Sequence, residues 1–449
     1  MSHRKLAVIV LAAGMGTRMK SDLPKVMHPV AGRPMIQHLM DTIGQLSPEK
    51  VVAVIGPGMD CVAEGVHPAA TVVQHERLGT GHAVLQAKAA LGQFDGDVLV
   101  LYGDTPLITR ETLERMLAER RGPKQPAVVV LGFKPADPGH YGRLVVGAEG
   151  LKAIVEWKDA TAEQREIPLC NSGVLAIDGS RLWSLVERIG NDNAKAEYYL
   201  TDVVSLARAD GANCSFVLGE PEELLGVNSR AELAAAEAIV QGRLRAAAME
   251  AGATLVDPAS VTLSWDTRLG RDVMVWPQVI FGPGVVVGDH VTIKGFCHFE
   301  RCTIADGAEI GPFARLRPGA EIGEDAHIGN FCEVKKAVVE RGAKVSHLTY
   351  IGDARIGAGA NIGAGTITCN YDGFNKSFTD IGEGAFIGSN TSLVAPVKVG
   401  DRAIVGAGSV ITKEVSVGAL AVTRASQMEL AGWADRFRER KRVEKAAKK

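Results

Sequence analysis

The sequence has no excess of charge of one sign, no closely spaced cysteine pair and no long hydrophobic run at its start. Its 50 Lys and Arg residues nearly balance 52 Asp and Glu residues, so it lacks the broad basic field that binds nucleic acid nonspecifically. Its seven cysteines are scattered without a Cys-x-x-Cys spacing, which favours reduced thiols. The first apolar run, Leu6 to Ala13, is too short to span a membrane. We therefore expect a cytoplasmic protein with small, charged ligands and without nucleic-acid or membrane partners.

Two patterns of apolar residues divide the chain, whose 449 residues are too many for one ordinary core. From residue 5 to about 228, short apolar runs alternate with helical segments, which is typical of an α/β domain with a mostly parallel sheet. The predicted strands include 6–13, 51–55, 98–101 and 128–131. Residues 229–250 are rich in Ala, Glu, Arg and Leu and contain no Pro, which predicts a connecting helix. We therefore assign 1–228 to a first domain, 229–250 to the helix, and 251–449 to a second domain with a basic C-terminal tail.

Aliphatic residues repeat every six positions in the second domain. Two runs keep this phase: Ile304, Ile310, Leu316, Ile322, Ile328 and Val334, then Ile381, Ile387, Leu393, Val399, Val405, Ile411 and Val417. A β-sandwich also repeats at multiples of two, but it resets its phase at each hairpin. The constant period predicts a parallel β-helix with these side chains inside. A glycine directly follows many of them and is expected to support a tight corner with positive φ: Gly311, Gly323, Gly329, Gly382, Gly388, Gly400, Gly406 and Gly418. Because a narrow prism buries little surface alone, we expect a homotrimer.

A glycine-containing segment follows the first predicted strand and has the residues Leu11-Ala12-Ala13-Gly14-Met15-Gly16-Thr17-Arg18-Met19, with Leu23-Pro24-Lys25 downstream. Its backbone amides can donate to phosphate oxygens. Met19 stands where the dinucleotide fingerprint needs a third glycine, and the Gly-Lys-Ser/Thr of a P-loop is absent, so both motifs are excluded. Arg18 and Lys25 supply cations of the kind needed where two phosphates react, although a solvated surface position for Lys25 is the alternative.

Asp104 comes directly after the predicted strand that ends in Leu101-Tyr102-Gly103. A carboxylate in this position can hold Mg²⁺ against nucleotide phosphates. It can also cap the helix that follows, and the residue pattern alone leaves both interpretations open.

The string from Leu11 to Met19 with Pro24-Lys25 closely resembles the signature of sugar-1-phosphate nucleotidyltransferases. The resemblance implies a Rossmann-like α/β fold and an enzyme that transfers a uridylyl group from UTP. It implies that Arg18 and Lys25 are catalytic and that Asp104 and Asn228 hold Mg²⁺. It also implies a set of contacts to UTP and the UDP-sugar: Leu11, Ala12, Ala13, Gly14, Lys25, Gln74, Gly79, Thr80, Tyr102, Gly103, Asp104, Gly142, Glu156, Asn171 and Asn228.

His347 is the candidate catalytic residue of the second domain. A neutral imidazole can accept a proton in the physiological range, although a lone histidine in a solenoid is more often a surface residue. Cys369 begins a polar insertion that ends at Lys376, and its thiol leaves a covalent route as a second option. The residues from 436 to 449 are basic and compatible with a helix, either solvated or near a polyanionic cofactor.

The whole chain resembles the bifunctional N-acetylglucosamine-1-phosphate uridylyltransferase and glucosamine-1-phosphate N-acetyltransferase family, most densely over 346–353, 361–366 and 369–376. The resemblance implies a left-handed parallel β-helix that uses acetyl-CoA, with His347 as base. The implied sugar-phosphate contacts are Arg317, Lys335, Tyr350, Asn361 and Lys376, and the implied acetyl-CoA contacts are Ala364, Asn370, Tyr371, Ser389, Ala407 and Arg424. A monofunctional nucleotidyltransferase with a structural or regulatory β-helix is the alternative, but such a scaffold would require none of His347, Tyr350, Asn370 and Tyr371. An acetyltransferase with a degenerate first domain would conflict with the intact Lys25, Asp104 and Asn228.

Overall fold

The computed structural model describes residues 4–448. The chain forms two compact units, one up to Ala246 and one from Ala247 onward. The division falls within a helix that occupies Arg230–Glu250, close to the 229–250 expected for a connecting helix.

The first unit is an α/β domain built on a nine-stranded sheet, with two further strands in a separate pair. Its strands are β1 (Leu6–Ala12), β2 (Pro29–Val30), β3 (Arg33–Pro34), β4 (Lys50–Ile55), β5 (Ala70–Val73), β6 (Asp97–Tyr102), β7 (Val128–Phe133), β8 (Arg143–Gly147), β9 (Gly150–Val155), β10 (Cys170–Asp178) and β11 (Cys214–Leu218). Its helices are α1 (Met35–Gln45), α2 (Asp60–Gly65), α3 (Thr80–Gln86), α4 (Lys88–Leu91), α5 (Arg110–Arg120), α6 (Ala162–Arg165), α7 (Gly179–Val186), α8 (Val203–Ala209) and α9 (Arg230–Glu250).

Strand order in this sheet is β11-β7-β10-β6-β1-β4-β5, with the hairpin β8–β9 attached to β10 and the small pair β2–β3 separate. The central pairs β6–β1, β1–β4 and β4–β5 are parallel, whereas β10 runs antiparallel to β6 and β7. Strand β1 is apolar at every position because both faces of the sheet are covered. Ala7 and Ile9 belong to the core on one face, and Val8 and Val10 to the core on the other. The carboxyl ends of β1 and β6 therefore meet at one edge of the sheet.

The second unit is a parallel β-helix with three faces, as the six-residue period predicts. Face 1 contains Thr254–Leu255, Met274–Val275, Thr292–Ile293, Glu309–Ile310, His327–Asn330, Lys344–His347, Asn361–Ile362, Phe386–Ile387, Ile404–Val405 and Leu420–Ala421. Face 2 contains Ile280–Phe281, His298–Phe299, Arg315–Leu316, Ile367–Cys369, Ser392–Val394 and Val410–Ile411. Face 3 contains Arg268–Leu269, Val286–Val287, Thr303–Ile304, Ala320–Ile322, Thr379–Ile381 and Val397–Val399. The longer strands Glu333–Val339 and Tyr350–Ile356 bend from face 2 into face 3.

Successive coils of the β-helix stack in register. Ile310 pairs with Ile328, and Ile387 with Val405, each 18 residues further along the chain. Ile362 pairs with Ile387 over 25 residues, because this coil contains the polar insertion. A helix at Trp433–Ala446 follows the last coil, and all of its side chains are exposed.

Val417 does not point into the prism, contrary to the six-residue phase. Its side chain is 61% exposed, whereas Val415 is 6% exposed and pairs with Val399. The last coil is thus two residues shorter than the period requires, and the inward position passes to Val415.

The glycines after the inward aliphatics were expected to provide positive φ, and this expectation is wrong for most of them. Of that set only Gly311 and Gly418 have a positive φ. A Cβ on Gly323 would lie 2.8 Å from the backbone N of Arg341, and one on Gly400 would lie 2.6 Å from the backbone N of Val417. These glycines are needed because the neighbouring coil passes too close for a side chain. Positive φ occurs instead at corner residues with side chains, such as Asp325, Phe331, Leu348, Asn390 and Arg402.

Candidate functional sites

A cavity of about 340 Å³ lies at the carboxyl edge of β1 and β6 in the first unit. Parallel α/β sheets bind ligands at this edge, where the loops after the strands leave a crevice. Ten of the predicted nucleotide contacts line the cavity: Leu11, Ala12, Ala13, Gly14, Lys25, Gln74, Gly79, Thr80, Tyr102 and Asp104. Val26, Arg77, Ala83 and Glu197 line it as well, and the sequence analysis did not identify them.

Lys25 joins the two residues predicted to hold a metal. Its ammonium group contacts the carboxylate of Asp104 and donates to Asn228 Oδ1 at 2.8 Å. Asn228 is held for this contact, because its backbone N–H donates to Glu232 and its side-chain amide donates to the carbonyl of Gly226. Two oxygens from distant parts of the chain therefore converge on one cation. Among the described residues no cluster of three or more His, Cys, Asp or Glu side chains suits a metal ion.

The loop that carries Gly79 is held in one conformation beside the cavity. Gly79 has φ +117°, and a Cβ there would lie 2.6 Å from the carbonyl oxygen of Tyr198. The buried amide of Gln74 donates to the Gly79 carbonyl at 3.2 Å and contacts His82 Nδ1 at 3.2 Å. Only glycine combines this φ with such close packing, so Gln74, Gly79 and the neighbouring Thr80 have fixed positions at the cavity wall.

Tyr102, Glu156 and Asn171 are polar residues near strand ends of the same sheet, with Asn171 buried and the other two half-buried. Burial raises the pKa of Glu156, and the same cause, with the charges of Glu156 and Asp104, raises the pKa of Tyr102. Thr201 donates to Glu156 at 3.5 Å. Asn171 is the second residue of β10, and its side-chain oxygen accepts the backbone N–H of Gly173 at 2.9 Å. Partly desolvated oxygens such as these suit the hydroxyl groups of a sugar, which can donate to them.

Several predicted residues lie outside the lining of this cavity, namely Arg18, Gly103, Gly142, Glu156, Asn171 and Asn228. Arg18 is exposed in a short 3-10 turn, Thr17–Met19, and its guanidinium makes no hydrogen bond or ion pair with the described part of the chain. Arg77 was not predicted, and its Nε donates to the carbonyl of Ala13 at 3.2 Å. Nothing in the local sequence marks this contact, because it joins residues 64 positions apart.

In the second unit, one corner of the prism aligns the catalytic candidate with most of the predicted acetyl-CoA contacts. Gly365 N–H donates to the carbonyl of His347, Asn390 N–H to that of Ala364, and Gly408 N–H to that of Ser389. Arg424 donates to the carbonyl of Ala407 at 2.5 Å. His347, Ala364, Ser389 and Ala407 therefore occupy equivalent corner positions in successive coils, between faces 1 and 2, each two residues after an inward side chain. The side chain of Arg424 reaches back to this line from the next coil. We call this line the His347 column.

The orientation of the His347 ring is set by Asn330, one coil earlier in the same column. Nδ1 of the histidine lies 2.6 Å from Asn330 Oδ1, which can only accept a hydrogen bond. Nδ1 therefore carries the proton, and Nε2 has the free lone pair that a base needs. The sequence analysis missed Asn330, although its distance of 17 residues from His347 is one coil and would have pointed to this pairing.

Three predicted phosphate ligands gather at the next corner, between faces 2 and 3. The adjacent Lys376 ammonium lowers the pKa of Lys335, and Arg317 acts in the same direction. Glu333 accepts from Arg317 at 2.8 Å. Because adjacent cations repel one another, this arrangement favours the binding of an anion between them. Arg317, Lys335 and Lys376 are called the cation corner below.

Four other predicted residues lie near the cation corner or near the His347 column. Asn370 is buried at the cation corner and donates to Asp353 at 2.5 Å, and Tyr371 is in the exposed insertion that follows it. Tyr350 begins face 2 directly after the His347 column, and Asn361 lies on face 1. Within one chain, the predicted acetyl-CoA contacts therefore occupy two different corners.

Comparisons with known proteins match both units. The MobA-like NTP transferase domain matches residues 8–167, and the bacterial transferase hexapeptide (six repeats) matches residues 266–301, 301–336 and 378–413. Bifunctional protein GlmU of Paramagnetospirillum magneticum is 75% identical over 100% of both chains. The proteins of the same name from Rhodospirillum rubrum and Sphingopyxis alaskensis are 64% and 55% identical over 97% and 99% of each chain. The chain belongs to the GlmU family.

Membership of the GlmU family confirms the two activities that the sequence resemblance implied. The chain combines an N-acetylglucosamine-1-phosphate uridylyltransferase with a glucosamine-1-phosphate N-acetyltransferase, and together they make UDP-N-acetylglucosamine. The fold expected for a GlmU protein is confirmed too, with a Rossmann-like nucleotidyltransferase domain followed by a left-handed β-helix. None of the helices among residues 4–448 is long and apolar enough to cross a membrane.

Proposed function

We propose that the β-helix first acetylates glucosamine 1-phosphate with acetyl-CoA, and that the first unit then transfers uridylyl from UTP to the product with release of pyrophosphate. The observation that supports this most directly is the His347 column. A β-helix with a purely structural role does not require an oriented histidine at one corner with small residues at the same corner of the following coils. The first reaction supplies the sugar phosphate that the second consumes.

In the first unit we assign phosphate binding to Lys25 and Arg18. The phosphate of N-acetylglucosamine 1-phosphate attacks the α-phosphorus of UTP, and both reactants are anions, so cations must lie between them. Lys25 is fixed at the cavity by its two contacts, whereas Arg18 is exposed and free to turn toward the triphosphate. Gln74 and Gly79 would bind the uracil edge, while Glu156 and Asn171 would accept from the sugar hydroxyls.

The residues present fit a magnesium ion. Mg²⁺ prefers one or two protein oxygens with phosphate oxygens completing its shell. Asp104 and Asn228 already direct one carboxylate and one amide oxygen toward a cation, the ammonium of Lys25. When bound, Mg²⁺ supplies positive charge that offsets the negative charge of the triphosphate. Lys25 is then available to pair with a phosphate.

In the β-helix we assign proton removal to Nε2 of His347. The sugar amine attacks the thioester carbonyl and its proton passes to Nε2. The C–S bond then breaks, and the departing sulfur takes up this proton, so that coenzyme A leaves as the thiol. Acetyl-CoA would lie along the small residues of the His347 column, and the phosphate of the sugar would bind at a cation corner. Cys369, the alternative acetyl carrier, is in face 2 and not in the column.

These assignments require more than one chain. The His347 column and the cation corner are at opposite edges of face 2, so a single prism cannot bring both to one small substrate. We propose a homotrimer in which the column of one chain lies beside the cation corner of its neighbour, since a head-to-tail interface of this kind closes into a ring. The proposed substrates are cytoplasmic metabolites and the seven cysteines are unpaired, which supports a cytoplasmic location.

Two separate assays test the proposal. Purified protein should release coenzyme A from acetyl-CoA with glucosamine 1-phosphate, and pyrophosphate from UTP with N-acetylglucosamine 1-phosphate and Mg²⁺. Omission of Mg²⁺ in excess chelator should abolish the second signal and leave the first nearly unchanged. Loss of both signals on chelation would contradict the assignment of the metal to the first unit.

A further inference from the structure

Arg230 occupies a position that neither the resemblance nor the cavity singled out. It is the first residue of α9, two positions after Asn228. Its Nε donates to the carbonyl of Met19 at 3.2 Å, and its Nη1 lies 3.2 Å from Nδ1 of His28. One side chain thus contacts the last residue of the turn that carries Arg18 and the residue that ends the turn of Lys25.

His28 is held neutral by these surroundings. A guanidinium can only donate, so Nδ1 accepts and the ring proton is on Nε2. Burial and then the charge of Arg230 lower the pKa of His28, and its Nε2 is buried without a partner among the described residues. A buried polar atom without a partner is costly. A tolerated cost of this kind favours a role for the ring other than local stability.

The geometry points to Arg230 as a positioning residue for uridylyl transfer. Together with His28, Arg230 holds the turn that carries Arg18 and the turn that carries Lys25 against the start of α9, next to Asn228. Without it the three groups still exist, but the hydrogen bond from α9 to the Arg18 turn is lost. This inference rests on the proposed roles of Lys25 and Arg18. Because Arg230 is itself exposed, its removal leaves no buried cavity, and the expected defect is in the reaction and not in the fold.

The test is Arg230→Ala in the full-length protein, with uridylyl and acetyl transfer measured on the same preparation. We expect kcat for uridylyl transfer to fall about tenfold with a KM for UTP within about twofold of the wild type, which matches the loss of two hydrogen bonds to the turns. Acetyl transfer should be unchanged, and the melting temperature should fall only slightly, because Nδ1 of His28 loses its partner while no cavity forms. Arg243→Ala is the matched control, because Arg243 is on the same helix and donates to a backbone carbonyl, that of Leu107, away from both turns.

Variants of His28 separate positioning from a general structural role. The side-chain oxygen of His28→Asn is as many bonds from Cα as Nδ1 is and can still accept from Arg230, whereas His28→Leu cannot. We expect His28→Asn to keep near-wild-type kcat and His28→Leu to match Arg230→Ala, with the double variant no worse than either single one. Arg230→Ala with full uridylyl activity, or with equal loss of acetyl transfer, overturns the inference. Lys25→Ala with full activity would overturn the proposed roles themselves, independently of Arg230.

Discussion

The contact between Asn330 and His347 gives the sharpest test of the acetyltransferase assignment. Asn330→Ala removes the one acceptor of the imidazole Nδ1–H, at 2.6 Å, without touching the base nitrogen. Such a hydrogen bond contributes about 0.5–1.5 kcal/mol, so we expect kcat for acetyl transfer to fall about two- to tenfold. His347→Ala removes the base itself and should cost about 100-fold or more, with substrate binding largely kept.

Asn330→Asp places a carboxylate where the amide oxygen was. A negative charge beside the ring stabilises its protonated form, so the rising limb of the pH–rate profile should move to higher pH than in the wild type. The assay is coenzyme A release between about pH 5 and 9, since an unperturbed histidine titrates near 6.5, with uridylyl transfer as the folding control. Cys369→Ala should be silent throughout. If His347→Ala retained most of its turnover, or Asn330→Asp left the limb in place, the histidine would be only a surface residue.

Three further expectations follow from the described geometry. Asp104→Ala should abolish uridylyl transfer and leave acetyl transfer nearly intact, and equal loss of both in a folded protein would contradict two separate sites. Residues 251–449 alone should form a trimer by light scattering, whereas a monomeric and fully active fragment would contradict a shared acetyl site. Burial raises the pKa of Glu156, so the folded state binds this proton more tightly than the unfolded chain, and stability falls as pH rises through the interval between the two pKa values. Glu156→Gln should therefore have a higher melting temperature than the wild type at pH 8, by a margin that shrinks below about pH 4. It should also bind N-acetylglucosamine 1-phosphate more weakly. A difference in melting temperature that does not depend on pH would contradict a raised pKa for Glu156.

Features encoded in a short stretch of sequence could be predicted. The apolar run that forms β1 is buried on both faces, and the six-residue period follows directly from three strands per coil. Gly14, Lys25 and Asp104 could be placed together because the carboxyl ends of neighbouring parallel strands meet at one edge. Each of these inferences needs only the local pattern and the direction of a strand.

Contacts across long sequence separations could not be predicted in the same way. The hydrogen bond from Arg77 to Ala13 and the links of Arg230 to Met19 and His28 join loops whose spacing depends on how helices pack on the sheet. Val417 kept the six-residue phase and yet lies outside, since the period cannot show where the last coil is shortened.

The glycines of the β-helix show why residue type alone did not reveal their role. A glycine after an inward aliphatic is compatible with a positive φ and also with a close approach of two backbones. The sequence alone does not show how close neighbouring coils come, so it could not distinguish these two roles. That distance is about 4.8 Å for paired strands, so a side chain directed along the prism axis meets the next coil, as it would at Gly323 and Gly400. The same spacing governs the His347 column. Three steps from His347 to Ala407 span about 14 Å, and Ala364, Ser389 and Ala407 are small enough for an extended thioester to lie against the corner. The repeat that stabilises the prism therefore also sets the spacing of the proposed binding groove.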